Sequence, residues 1–205
     1  MLVPAVFFNG LGMGASLIMA IGAQNAHVLR MGVERRHVGV TVAACIAVDI
    51  VLIAAGVAGM GALIQASPLL LAVARWGGAA FLAWYGLRSW AALLRTKALQ
   101  VPEQAAQVDR RRALVTVLAL SLLNPHVYLD TLVLLGSLGG QYAQAERPSF
   151  ALGAIVASLL WFTALGYGAS KLSAWLRKPP VWKAIEALTG AIMLVLAAGL
   201  AGLEF

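Results

Sequence analysis

The sequence predicts an all-α, polytopic membrane protein: six transmembrane helices in two inverted three-helix repeats, with helices 1 and 4 broken. Three observations carry that expectation. The chain of 205 residues is 61% hydrophobic and only 11% charged, with a mean hydropathy of +0.87. A soluble domain of this length needs far more surface charge. Several apolar runs exceed the roughly 20 residues that cross a bilayer. Two of those runs are interrupted by polar residues, at Ala20–Arg30 (AIGAQNAHVLR) and Leu122–Asp130 (LLNPHVYLD). Both interruptions carry Asn-x-His-Val: Asn25, His27 and Val28 in the first, Asn124, His126 and Val127 in the second.

The spans follow in order. The first covers about Pro4–Ala26 and the second about Val38–Ile64. A short turn at Gln65–Pro68 leads to the third, about Leu69–Leu94. The fourth covers about Ala113–Gly140 and is interrupted at Asn124-Pro125. The fifth covers about Phe150–Leu172 and the sixth about Ile185–Leu203. Each is expected to be helical, because unpaired backbone is too costly in hydrocarbon. The start of the chain lacks the basic-apolar-small pattern of a signal peptide, so the first run reads as a retained span.

Charge sets the orientation. Twelve of the fifteen Lys and Arg fall in loops one, three and five, none in loop two, and only Arg147 in loop four. Positive residues favour the cytoplasmic side. Loops one, three and five are thus expected inside and both termini outside. The net charge of +7 is explained by this topology and not by a nucleic-acid partner. Leu99–Asp109 is the one polar stretch of any length, and it reads as a connector within about 95–112. It joins a first half, about 1–94, to a second, about 113–205, in a single transmembrane domain. The first half starts outside and the second inside, so the halves are inverted. Such an arrangement places a solute site near the midplane, at discontinuous helices in matching positions.

Pro125 removes a backbone donor and disfavours helix at Asn124, so a break in the fourth span is expected. Gly22 precedes the polar Ala23-Gln24-Asn25 and is placed to open the first. The opened ends make Gln24, Asn25 and Asn124 substrate-binding candidates. Three ionisable residues lie within apolar spans: Asp49, Arg75 and Asp130. Each costs about 2.5–3.5 kcal/mol on insertion scales, so each is expected to face the interior. Asp49 and Arg75 have two readings, a structural ion pair or substrate contact, and both stay open. Asp130 reads as functional. His27 and His126 sit beside the breaks, where they are either proton carriers or hydrogen-bonded structural residues. With Asp49 and Asp130 they form the set of proton-coupling candidates.

Other features point to packing. GxxxG occurs at Gly10/Gly14 and at Gly136/Gly140, as in closely packed membrane helices. Arg88 lies near the inner end of its span and reads as a snorkelling side chain. Trp161 and Trp175 are candidates for an interfacial belt. Cys45 stands alone, so it has no disulfide or metal partner. No nucleophile elbow, phosphate loop or zinc motif occurs, so no enzyme, cofactor or metal is expected.

Several of these segments resemble a known family. Ser16–Val38 (SLIMAIGAQNAHVLRMGVERRHV) is similar to the first-helix signature of the L-lysine/L-arginine exporter family, the LysE/ArgO type. VAACIAVDIVLIAAGVAGMG resembles its second helix, with the acid at Asp49. Arg75–Trp90 resembles the third helix, and Ser121–Gln141 the fourth, with NPHVYLD intact. The resemblance implies export of basic amino acids across the bacterial inner membrane, driven by the proton gradient or membrane potential. It matches Asp49, Arg75 and Asp130 to charged positions of functional interest. Relatives that export neutral amino acids carry proline-glycine-proline near the first break, where this chain has Ala23-Gln24-Asn25. The expected partners are a basic amino acid and the lipid bilayer, and the small-residue faces permit a homo-oligomer. Two other readings stand beside this one: an exporter of a neutral amino acid or metal cation, and a membrane protein that transports nothing.

Overall fold

In a computed structural model of the protein, residues 2–19, 23–60, 68–94, 109–124, 127–176 and 178–202 are described. They are mostly helical, joined by short turns, and no strand occurs among them. Helix α1, Pro4–Ile18, opens with Pro at its first turn, where the missing donor costs nothing. The backbone N–H of Val3, just before it, donates to Ser149 Oγ at 3.0 Å. At 15 residues, α1 is about 22 Å long and too short to cross a bilayer alone. Helix α2, Ala23–Glu34, follows at an angle of 80° to it. The first span is therefore broken between Ile18 and Ala23, just before Gln24 and Asn25. It also runs further than the sequence suggested: Arg30, expected in a loop, sits on α2 and pairs with Glu34 one turn on, Nε to Oε1 at 2.9 Å.

Helix α3, Val38–Ala55, continues into a π-wide turn at Gly56–Met60. That turn kinks at Gly59, whose φ of +102° suits glycine alone. Helix α4 covers Pro68–Leu94 and α5 Arg110–Leu122. A second π-wide stretch, Tyr128–Leu135, leads into the short α6, Gly136–Gly140. Helix α7 covers Arg147–Lys171, α8 Ser173–Leu176 and α9 Pro179–Gly202. Arg147, the lone cation of its loop, donates to the carbonyls of Gly140 (2.9 Å) and Tyr142 (3.1 Å), closing the end of α6.

Packing runs across the two halves. Helix α1 lies along α7, and α4 along α9; α2 and α3 also pack on α7, and α3 on α5. Small residues make these approaches. A Cβ on Gly10 would stand 2.1 Å from the Phe150 carbonyl oxygen, and one on Gly153 2.0 Å from that of Phe7. The two π-wide stretches meet backbone to backbone, where a Cβ on Gly136 would fall 2.6 Å from Gly56 O. Gly10 and Gly136 are thus interface glycines, whereas Gly140 faces open space.

The outer surface is apolar: Phe8, Val51 and Val195 are each more than 60% exposed. That surface suits lipid and not water. Among the described residues, Val38–Gly59 and Arg147–Lys171 are long and apolar enough to cross a membrane, and α1 with α2 makes a third span if the bent pair counts as one. The protein is an all-helical membrane protein.

Candidate functional site: a cavity between two helix breaks

The end of α1, the start of α2 and the chain entering Tyr128–Leu135 converge on a cavity of about 220 Å³. Gln24, Asn25, Asp49, Asn124 and Asp130 all line it, with Thr131 beside them. Its apolar wall includes Leu17, Ile18, Phe162 and Leu196. Residues far apart in sequence thus meet, because residues flanking both breaks line one cavity. Among the described residues, the charged side chains that line the cavity are the two carboxyl groups.

Asn25 holds the first break in shape. Its Nδ2 donates to Ile18 O at 3.0 Å, satisfying a carbonyl that the end of α1 leaves without an intrahelical partner. Its Oδ1 accepts from Trp161 Nε1 at 3.1 Å, tying the break to α7. The second break has its own clasp: the Tyr128 hydroxyl donates to Leu122 O at 2.7 Å, and Thr131 Oγ1 donates to Val127 O. Asp49 is 4% exposed, and its Oδ2 accepts from Ser158 Oγ at 2.6 Å. The carboxylate is therefore oriented by a helix of the other half.

The first four N–H groups of α2 have no intrahelical acceptor, and the helix dipole leaves partial positive charge there. Gln24 Nε2 is buried with no hydrogen-bond partner among the described residues. The lining therefore combines an unmet amide donor with two carboxyl groups, a set complementary to a zwitterion with an extra cation.

The remaining candidates fall elsewhere. Gly22, Pro125 and His126 lie outside the described residues, as does the side chain of Arg75, whose backbone is part of α4. His27 does not line the cavity; its Nδ1 meets the Tyr85 hydroxyl of α4 at 3.1 Å. Trp161 is not a belt residue, because its indole reaches inward to Asn25. Arg88 lies with its guanidinium 5.7 Å from the Trp84 ring centre, and Cys45 is fully buried. Ser158, Tyr85 and Glu186 were not singled out in the sequence, and Trp161 was read there only as a belt residue. Glu186 was the findable one: an acid at the start of an apolar run, which the helix carries inward to 4% exposure.

Broken helices around a polar cavity inside an apolar, all-helical body define a membrane translocator. The chain belongs to the LysE type translocator family, whose model matches residues 15–202. It is 46% identical over 197 residues to a protein of Yersinia enterocolitica named "Arginine exporter protein ArgO", covering 96% of each chain. It is 44% identical, over the same shares, to a "Putative amino-acid transporter YggA" of Aeromonas salmonicida. A second protein named "Arginine exporter protein ArgO", of Serratia proteamaculans, is 46% identical over 92% of each chain. No solved structure matches the chain.

Proposed function

We propose that the protein is a secondary exporter of basic L-amino acids, arginine or lysine, acting in the bacterial inner membrane. The observation that carries this reading is the pairing of Asp49 and Asp130 in one cavity between the helix breaks. A cationic side chain complements the two acidic side chains that line this cavity. The relatives named as arginine exporters support the same cargo.

In this mechanism the cargo's guanidinium or ammonium lies against Asp49 and Asp130. Its carboxylate takes the N–H groups at the start of α2, with Gln24 and Asn124 beside it. Asn25 and Trp161 act by positioning the break. Proton uptake by Asp49 or Asp130 couples release to the proton gradient; His27, turned toward Tyr85, is the weaker candidate for that role.

Alternating access follows from two inverted halves rocking about the cavity. The helix pairings support six spans in that arrangement. A twofold relation exchanging the halves turns the α1–α7 pair into α5–α3 and maps α4–α9 and α3–α7 onto themselves; all four pairs occur. Asp49 and Ser158, which meet across the α3–α7 contact, are each the twelfth residue of their helix. Helices α4 and α9, at 27 and 24 residues, exceed the roughly 20 residues a span needs.

The test is efflux of labelled arginine from vesicles loaded with it and containing the purified protein. Wild type is expected to empty them and Asp130→Asn to lose most of the rate. Full activity in Asp130→Asn rules out the charge role.

A further inference from the structure

Glu186 stands ten residues before the cavity-lining Leu196 on α9, about 15 Å along the helix. It lies toward the end of α9 that carries Lys183 and follows Lys178. Its Oε1 faces Arg30 Nη1 at 3.5 Å, while its buried Oε2 has no hydrogen-bond partner among the described residues. Arg30 is held from the other side by Glu34, at 2.9 Å. The Tyr85 hydroxyl adjoins the same guanidinium and also meets His27 Nδ1 at 3.1 Å. These groups tie α2, α4 and α9 together between the cavity and the helix ends bearing Arg35, Arg36 and Lys183.

The contact is loose for a carboxylate as buried as that of Glu186. A guanidinium and a carboxylate bind best as a two-bond fork near 2.8 Å, and an unmet buried carboxylate oxygen is costly. Here one carboxylate oxygen is left open, and a single nitrogen touches the other at long range. The group that Glu186 faces is a guanidinium, the group the proposed cargo carries.

We infer that Glu186 is a second recognition acid for the cargo, on the route between the basic face and the cavity, occupied in this structure by Arg30. The inference rests on the reading of the cargo as a basic amino acid. The cargo's cation takes the open Oε2 and displaces Arg30, which keeps Glu34. Glu186 exchanges one cation for another, so no bare buried carboxylate arises during passage.

The experiment is labelled-arginine counterflow by the purified protein in liposomes, with half-saturation and maximal rate read separately. Glu186→Gln is expected to raise half-saturation about tenfold, the worth of one charge-assisted hydrogen bond. Arg30→Gln removes the competing cation and is expected to lower it. A merely structural ion pair moves both variants the same way, and that result overturns the inference. If either single variant fails to fold, Arg30→Gln/Glu186→Gln leaves no charge unpaired and decides. Half-saturation raised about tenfold in the double variant upholds the inference, and a wild-type value overturns it. Wild type that moves neither arginine nor lysine overturns the cargo reading together with the inference. Normal wild-type flux with an unchanged Glu186→Gln overturns the inference alone.

Discussion

Replacing Asp49 with asparagine isolates charge from shape. The side chain is buried, and the Ser158 hydroxyl donates to its Oδ2 at 2.6 Å. Asparagine keeps an oxygen able to accept that bond, so the contact between α3 and α7 survives and the cost to folding is about 1 kcal/mol. A bound cation loses more. Removing one partner of a buried, hydrogen-bonded charge pair costs about 2–5 kcal/mol. Even the lower figure raises half-saturation for arginine roughly thirtyfold. The assay is arginine counterflow in liposomes, run beside citrulline, which has arginine's shape with a neutral urea in place of the guanidinium. Wild type should prefer arginine strongly, and Asp49→Asn should narrow that preference by weakening arginine alone. Equal losses for both solutes, or no loss for arginine, would refute the reasoning.

Three further outcomes are expected. Asn25→Leu leaves the Ile18 carbonyl and the Trp161 N–H without their partners; each buried orphan costs about 1–3 kcal/mol, so thermal stability and counterflow should both fall. Trp161→Phe keeps an aromatic ring but loses the 3.1 Å bond to Asn25, and should slow flux about fivefold and lower the melting temperature by less than Asn25→Leu does. Gly153→Leu drives a side chain into the Phe7 carbonyl, where even a Cβ would stand 2.0 Å away; a sharp loss of folded protein by size-exclusion fluorescence is the expected result.

Much of the site was legible because its residues contradict their surroundings. Asn25, Asn124, Asp49 and Asp130 stand out as polar groups in runs long enough to cross lipid, where such groups are expensive. Their cost is local, so it can be seen without knowing the packing. What the sequence hid are residues whose meaning comes from a neighbour on another helix. Ser158 and Trp161 are ordinary within a membrane helix until α7 crosses α3 and the break after α1. Tyr85 is one aromatic among many until α4 brings it to His27. The extent of α2 was also hidden: a run containing Arg30 and Glu34 looks like a loop by hydropathy, yet the i,i+4 pair and the contact with Glu186 keep it helical and half-buried. The glycine pairs were readable as packing, but not which partner each would meet, since Gly10 touches Phe150 and Gly136 touches Gly56.

The most direct measurement is an experimental structure determined with L-arginine present. A cargo seated between residues 25 and 124, its guanidinium within hydrogen-bond reach of Asp49 and Asp130 and its carboxylate at the start of α2, is the predicted result. Arginine bound elsewhere while that cavity stays empty, or α1 and α2 running on as one straight helix against lipid, would contradict it.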